Sequence, residues 1–528
     1  MYRSALGLIA LIVFSACVPS PAAPRTAAGT AIPTAGATPE PAPLPSATTR
    51  LATVATTPML ATATRVLPTP VPATATRVPP SPAPTVALPL QTMPAGALPP
   101  VPRDVLFLRD GDLVRWAHAT GALETLAAAD PRLGPVTLFS PSADGRRVAL
   151  ARVAPHAMSI AVSYRLEWLD LDTRQVTALA SGEALLAPGL IGFELSADGE
   201  WLAYIPWDLS PEARRNAGLS RPLAGGPAPS GTVYALRLAA PDARVELGIC
   251  AGARAAGAVA GCGGLRWSPD SRSVAWGDAF GLWVALPGGS VREVVSTGDY
   301  FNTLEFAPLA WSPAGRYLLV ERRYYSEDAR GGYIGAESGV LDTETGTLAA
   351  LVGLYDGRDP RGSAVWLDDG RLLVVSTDAP GTAGELTLRF WRLDPAQPRL
   401  LVGHGSWETG LSLQGAPQEA AVLRGDRVAF ALLVSADGRD AGVYLYTAPL
   451  TGELRIVRRI AGPPLAGEPG GEYHVAWTQD GSGAFAWETD YAGRTRMLFY
   501  AAMDDAVLYD LLAELGDGAG SFVWSGAP

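Results

Sequence analysis

One short pattern recurs along most of this chain and constrains its fold more than any other feature. An aromatic residue leads into Ser-Pro-Asp-Gly or a close relative, and a short apolar strand follows, as at residues 267–276. Further copies begin at Trp311, Trp366 and Trp477, and looser copies lie at 139–145, 195–199 and 423–426. In such a turn Pro presets the first central position, Asp caps the turn and Gly supplies a positive φ. Each copy therefore predicts a tight connection between two antiparallel strands.

The spacing of the copies favours a propeller over a β-sandwich. Further apolar strands follow each copy, for example at 164–171, 281–286 and 443–447. Four short strands in roughly 50 residues, repeated along a chain, are typical of propeller blades. We therefore predict an all-β fold, a β-propeller of four-stranded blades with first strands near residues 138, 193, 266, 310, 365, 422, 476 and 523. Eight blades are favoured, and seven are the alternative if the copy at Leu423 belongs to a neighbouring blade.

The two ends of this region predict how the propeller closes. Residues 105–109, 112–116 and 123–127 read as three strands without a first one. The segment 521–526 reads as a lone strand that contains Trp524 and Ser525. Pairing the C-terminal strand with the first three would complete the first blade and remove two open sheet edges.

The Trp-Ser-Pro-Asp pattern at Trp267–Asp270 and its copies resemble the repeat of TolB-like, WD-repeat-like β-propellers, which is also found in the propeller domains of prolyl oligopeptidases. The resemblance covers residues 104–528. It implies the propeller fold and a bacterial surface or periplasmic protein that binds something. A Pro-rich segment stands where TolB-type proteins carry a small α/β domain, and we expect no hydrolase domain. The enzymatic activities of these families are therefore not implied.

The first 100 residues predict a secretion signal followed by a stalk. Arg3 precedes the apolar run 5–14, which is too short to span a membrane and is typical of a signal peptide. Of the 46 prolines, 20 lie between residues 18 and 100, and residues 61–72 and 73–84 repeat one motif. Such a chain favours extended, disordered geometry. We predict a signal peptide at 1–16, a disordered Pro/Thr/Ala-rich stalk at 17–100 and the propeller at 101–528.

The end of the signal resembles a bacterial lipobox, with Phe14, Ser15 and Ala16 before Cys17. The resemblance implies that Cys17 becomes the first mature residue and carries the lipid. Several acyl chains anchor a protein stably where one chain is marginal. We therefore expect an extracytoplasmic protein that is lipid-anchored to the bacterial cell membrane, on its outer face or in the periplasm. Cleavage by an ordinary signal peptidase is the alternative.

Several function classes find no support in the sequence. The net charge of −11 argues against nucleic-acid binding. A Gly-x-Ser-x-Gly elbow is absent, and the four histidines lie in different blades: His118, His156, His404 and His474. We predict no catalytic residue, metal or cofactor. In an oxidising compartment, Cys250 and Cys262 are expected to form a disulfide that closes a short loop.

Two insertions suggest where a partner binds. Residues 205–231 and 321–337 each join the second and third strands of a blade, so both are expected as loops at the mouth of the central channel, beside the Cys250–Cys262 loop. Aromatic and Arg clusters are typical of binding hot spots. The candidate binding residues are Trp207, Arg214, Arg215, Arg323, Tyr324, Tyr325, Asp328 and Arg330.

The leading hypothesis is a non-catalytic propeller that binds a protein or envelope component at this face. An enzyme that acts on glycans or esters through carboxylates at the channel mouth is the alternative. A purely structural spacer in the envelope is the third reading.

Overall fold

The structure is a computed structural model of the 528-residue chain. It describes residues 90–91, 97–156, 162–184, 190–207, 230–255, 258–260, 262, 264–299, 303–328, 331–350, 362–366, 372–378, 385–393, 401–412, 414–424, 427–435, 442–449, 458–460, 472–478, 480–490, 493–503 and 507–525. The predicted signal peptide, with Cys17, lies outside these residues, as does the predicted stalk up to residue 89.

Almost all regular structure is β-strand, and most sheets contain four strands that follow one another in the chain. The first half of the chain contains β1 (Leu90–Gln91), β2 (Val105–Arg109), β3 (Asp112–Trp116), β4 (Leu123–Ala127), β5 (Val136–Pro141), β6 (Arg147–Pro155), β7 (Val162–Asp170), β8 (Val176–Ala184), β9 (Leu190–Leu195), β10 (Trp201–Pro206), β11 (Gly231–Arg237), β12 (Ala240–Cys250), β13 (Ala253–Ala255), β14 (Ala258–Ala260), β15 (Leu265–Trp267), β16 (Val274–Gly277), β17 (Gly281–Ala285) and β18 (Val291–Ser296).

The second half continues in the same way, after a 3-10 turn at Thr297–Asp299. It contains β19 (Thr303–Trp311), β20 (Tyr317–Asp328), β21 (Gly331–Asp342), β22 (Thr347–Ala350), β23 (Gly362–Trp366), β24 (Leu372–Asp378), β25 (Glu385–Leu393), β26 (Leu401–Ser412), β27 (Gln414–Arg424), β28 (Arg427–Ser435), β29 (Gly442–Pro449), β30 (Arg458–Ile460), β31 (Glu472–Trp477), β32 (Gly483–Thr489), β33 (Thr495–Ala502), β34 (Val507–Asp510), helix α1 (Leu512–Leu515) and β35 (Ala519–Trp524). Within the described part of the chain, no helix is long and apolar enough to cross a membrane.

The sheets form an all-β propeller, as the repeat predicts. Seven meanders, β5–β8, β9–β12, β15–β18, β19–β22, β23–β26, β27–β30 and β31–β34, are antiparallel sheets whose strands are ordered as in the chain. The eight predicted blade starts fall within the strands β5, β9, β15, β19, β23, β27, β31 and β35. The number of blades in the ring stays a prediction, with eight favoured.

The repeated turn has the same hydrogen bonds in five places, which explains its signature. A Ser or Thr hydroxyl accepts the backbone N–H of the residue five positions later at 2.9–3.0 Å, in copies that begin at Ser142, Ser196, Ser268, Ser312 and Thr478. The fourth residue of each copy has a positive φ, and Ser271 holds that position at 59° in one copy. Glycine is favoured there because it carries no steric penalty in this conformation.

The signature Trp side chains join neighbouring sheets. In four of them the indole N–H donates to a backbone carbonyl of the preceding sheet, at the residue just before that sheet's own signature position. The pairs are Trp267 to Glu194 at 3.0 Å, Trp311 to Arg266 at 3.0 Å, Trp366 to Ala310 at 3.1 Å and Trp524 to Ala476 at 3.2 Å. Apolar clusters fill the space between successive sheets, for example around Tyr164 and Tyr204. The indole ring of a signature Trp therefore fills space between two sheets and also forms a hydrogen bond between them.

The C-terminal strand joins the sheet of the first three strands. The order is β35-β2-β3-β4, with β35 antiparallel to β2 and Val105 opposite Trp524. This is the pairing that the two chain ends predict, and the bounds of β2, β3 and β4 are those expected from the sequence. We call β35-β2-β3-β4 the closure sheet.

One strand lies before residue 101, the predicted start of the propeller, in the last part of the predicted stalk. β1 pairs in parallel with β34, with Leu90 opposite Leu508 and Gln91 opposite Tyr509. The sheet of β31–β34 therefore has five strands, and β1 lies at its outer edge.

Candidate functional site

Strand direction places the specialised connections of this chain at one edge of their sheets. In an antiparallel meander, the connection from the second to the third strand lies at the same end as the exit from the fourth strand. We call this end the mouth edge. In three consecutive sheets it carries Trp207 after β10, the strands β13 and β14 after β12, the turn 278–280 and the paired ends of β20 and β21. The repeated Ser-Pro-Asp-Gly turns lie at the opposite end, which we call the turn edge.

The segment between β12 and β15 is a small hairpin with a covalent base. β13 and β14 pair antiparallel, with Ala253 opposite Ala260. A disulfide joins Cys250 to Cys262, with their Cα atoms 5.5 Å apart. Cys250 is fully buried against the neighbouring sheet. The two ends of the hairpin are therefore held together, and one end is fixed in the core.

A buried carboxylate attaches this hairpin to the next sheet. Asp278 is only 1% exposed and accepts the Ala251 N–H at 3.0 Å. It also accepts the N–H groups of Phe280 and Gly281, at 2.8 and 2.9 Å. Ala279 in turn donates its N–H to the carbonyl of Ala251 at 3.1 Å. Burial raises the pKa of the Asp278 carboxyl, and the backbone donors offset part of that rise. The turn and the hairpin base thus form one hydrogen-bonded unit.

An apolar side chain projects from this unit. Phe280 lies at the turn held by Asp278 and is 49% exposed. Ile249, next to Cys250 at the end of β12, is also exposed. A large aromatic side chain held in solvent by a rigid turn is a good anchor for a partner, because little conformational freedom is lost on binding.

The predicted insertion at 321–337 is a β-hairpin rather than a loop. β20 and β21 pair without interruption from Tyr317 opposite Asp342 to Asp328 opposite Gly331. Several large residues of β20 lie opposite a glycine, such as Tyr324 opposite Gly335 and Glu327 opposite Gly332. The glycines hide the alternation from which a strand is usually read. The two strands therefore extend the sheet at the mouth edge.

On one face of this hairpin an arginine stands between two glutamates. Arg323 forms an ion pair with Glu305, which is 5% exposed and lies opposite it on β19. Glu321 precedes Arg323 by two residues and so shares its face. Burial raises the pKa of Glu321, the charge of Arg323 lowers it and the charge of Glu305 raises it again. The guanidinium of Arg323, predicted to bind a partner, thus forms an ion pair within its own sheet.

On the other face the neighbouring arginine is also held. Arg322 donates its Nε–H to Thr303 Oγ1 at 2.9 Å, and its guanidinium lies 5.4 Å from the centre of the Tyr324 ring. A cation over an aromatic face is attracted by the ring quadrupole. Both predicted residues, Arg323 and Tyr324, therefore brace the hairpin near its junction with the sheet.

The remaining predicted binding residues have varied outcomes. Trp207 is half-buried and packs against the cluster of Tyr164 and Tyr204, so it supports the core. Tyr325 and Asp328 belong to β20, and the structure describes their backbone only. The residues outside the described ones are Arg214, Arg215 and Arg330.

Sequence reasoning missed the residues that shape the site most directly, Asp278 and Phe280. The available signal was weak: a short Asp-Ala-Phe-Gly segment between two apolar strands. Among the described residues, no group of three or more His, Cys, Asp or Glu side chains is placed to hold a metal ion.

Comparison with known proteins finds likenesses of fold only. No protein-family model matches the chain, and no curated protein matches it. Among solved structures, a prolyl endopeptidase shares 16% identity over 71% of this chain with a TM-score of 0.43, and this chain spans 49% of that protein. The β-propeller domain of the Trilobed protease from Pyrococcus furiosus shares 12% identity, with 69% and 92% of the two chains covered and a TM-score of 0.37. TolB from Acinetobacter baumannii shares 13% identity, with 72% and 83% covered and a TM-score of 0.31.

Proposed function

We propose that this protein is a non-catalytic binding propeller that engages a protein or envelope component through the mouth edge of its sheets β9–β12, β15–β18 and β19–β22. The observation that carries the proposal is the unit of disulfide, Asp278 and Phe280. It holds a half-exposed aromatic ring at the edge to which the β20–β21 hairpin of the next sheet also extends. Rigid aromatic anchors beside a polar rim are typical of protein-binding surfaces.

We further propose that the propeller is presented outside the cytoplasm by the stalk 17–100, with Cys17 as the lipid-anchored residue. The apolar run before Cys17 and the Pro-rich segment after it support this arrangement. A disulfide at Cys250–Cys262 fits an oxidising compartment. Radiolabelled palmitate incorporation into the full chain, and its loss in Cys17→Ala, would test the anchor.

A crosslinking experiment in intact cells tests the binding surface. Phe280 and Leu286 flank the same strand, β17, at its two ends, with 49% and 46% of their surfaces exposed. A photoreactive phenylalanine analogue is placed at one position or the other in the full chain. The proposal predicts a discrete partner adduct from position 280 and none from 286. Equal labelling from both positions, or no adduct from either, would contradict it.

A second candidate function, an enzyme acting on glycans or esters, is favoured by one observation. Glu305 and Glu321 share a face, one of them paired with Arg323 and the other with a raised pKa. A carboxylate paired with a cation beside a second carboxyl of raised pKa is an arrangement that acid–base hydrolysis uses. Incubation with cell-wall glycans and ester reporters, with Glu321→Gln as control, separates the two. Hydrolysis that is lost in Glu321→Gln would replace the binding proposal by the enzymatic one.

A further inference from the structure

The end of the predicted stalk and the residues that follow it up to β2 are attached to the propeller at several points. The first is β1, which pairs in parallel with β34 through Leu90 and Gln91. This adds backbone hydrogen bonding at the outer edge of the last meander, β31–β34. The chain that arrives from the stalk is thus joined to this sheet before it reaches β2.

The second attachment is apolar. Val101 is 5% exposed and belongs to a cluster that contains Phe485 and Tyr500 of the β31–β34 sheet together with Phe107 and Trp116 of the closure sheet. Leu98 packs against the same cluster. The segment therefore lies across the junction of these two sheets.

The third attachment is polar and stands directly before β2. The Asp104 carboxylate accepts the backbone N–H of His118 at 2.8 Å and lies 2.7 Å from the His118 Nδ1 atom. Arg115 forms a longer ion pair with it, at 3.6 Å. The carbonyl of Asp104 accepts the Ser525 N–H at 2.9 Å. These bonds fix the entrance of β2 and the exit of β35 to each other.

The geometry of the closure sheet determines how a pull on the chain before β2 would act on its hydrogen bonds. Val105, the first residue of β2, lies opposite Trp524, the last residue of β35. A pull applied at Val105 would load the hydrogen bonds of β2 one after another, beginning at its end. Sequential peeling of a strand needs far less force than simultaneous shearing of several bonds, because each bond breaks alone.

We propose that residues 90–91 and 97–104 form a strap that takes up tension from the preceding stalk and keeps it from the closure sheet. The strap distributes the load over β1, the Val101 cluster and the Asp104 bonds before it reaches β2. This proposal rests on the proposed stalk only for the origin of the tension.

Force spectroscopy on the unlipidated chain 17–528 tests the strap. The chain is held through the Cys17 thiol and a C-terminal tag, with Cys250 and Cys262 oxidised. In Leu90→Pro/Gln91→Pro, which removes two backbone donors from β1, the rate of the first opening at constant force should rise about tenfold or more, equivalent to about 1.4 kcal/mol of barrier. Pro102→Ala, at an exposed residue of the same segment, is the matched control and should open like the wild type.

Hydrogen exchange without load provides the second readout. Of the adjacent β34 residues Leu508 and Tyr509, the one whose N–H faces β1 should exchange faster in the proline pair, while the inner strand β32 keeps its protection, which shows that the variant is folded. Unchanged opening rates in the folded variant would overturn the strap. Val101→Ala gives an independent perturbation with the same expected direction. Neither measurement involves a membrane or a binding partner, so failure of the strap is distinguishable from failure of the proposed function.

Discussion

Glu194 offers the sharpest test of the energetics between two sheets. It lies on β9, where its Oε2 atom accepts the Trp267 N–H at 3.1 Å and its carbonyl accepts the Trp267 indole N–H. Part of the residue remains exposed, but its carboxyl is almost wholly removed from water. That burial raises its pKa from 4.5 to about 7, with Arg266 and the Trp267 N–H acting in the opposite direction.

The sign of the pH dependence follows from this rise. Below pH 4.5 the carboxyl is protonated in both the folded and the unfolded chain. Between pH 4.5 and about 7 the folded chain keeps the proton and the unfolded chain releases it, so the free energy of unfolding falls as pH rises. A pKa difference of this size corresponds to roughly 3 kcal/mol, an upper figure for a residue that keeps some exposure. Above pH 7 the loss is complete.

Glu194→Gln removes the titration and keeps an oxygen that can accept the Trp267 N–H. The variant should match the wild type in stability at pH 4 and exceed it by roughly 2–3 kcal/mol at pH 8. Urea unfolding of both proteins between pH 4 and pH 8 measures the difference in their free energies of unfolding. The titration of all other groups cancels in this difference. Glu246→Gln, which makes the same substitution at an exposed residue of β12, is the control. A flat difference for Glu194→Gln, or one that Glu246→Gln reproduces, would refute the reasoning.

Two further predictions concern bonds that the structure shows directly. Trp311→Phe loses the indole N–H that bonds Arg266 O and should destabilise the protein by about 1–2 kcal/mol in urea unfolding. The indole N–H of Trp477 has no partner among the described residues, so Trp477→Phe should cost less. An equal loss in both variants would contradict the role of the bond. Reduction of Cys250–Cys262 should cost about 2–3 kcal/mol and speed proteolysis within 251–261 ahead of global unfolding. Uniform protection after reduction would show that Asp278 alone holds the hairpin.

The fold was predictable because its information is local and repeated. The hydroxyl of Ser268, the carboxylate of Asp270 and the positive φ of Ser271 act within one turn, and the same arrangement recurs at fixed places in the chain. The strands that follow are short and apolar, as in Val274–Gly277. A signature that is satisfied within six residues can be read without knowledge of the rest of the fold.

The site was less predictable because its bonds join distant segments. Asp278 is held by its own turn but binds Ala251, 27 positions away, and nothing in the local sequence marks that partner. Glu194 owes its raised pKa to the packing of β15 against β9, which is likewise invisible in the sequence around it. β1 pairs with β34, which lies more than 400 residues later in the chain. β1 itself belongs to a segment whose proline content argues against any strand.

The turn edge carries a repeated turn sequence, whereas the mouth edge carries connections that vary from sheet to sheet. This contrast favours the mouth edge as the surface that binds a partner. At the turn edge, neighbouring copies bond to each other: Ala143 donates its N–H to Ala197 O, and Asp198 donates its N–H to Ser271 Oγ. Residues at that edge are therefore constrained by the fold itself. At the mouth edge the connections differ in length and chemistry from sheet to sheet. Their bracing by the disulfide and Asp278 rigidifies surfaces that the propeller alone does not require, and a partner that recognises Phe280 would gain from that rigidity.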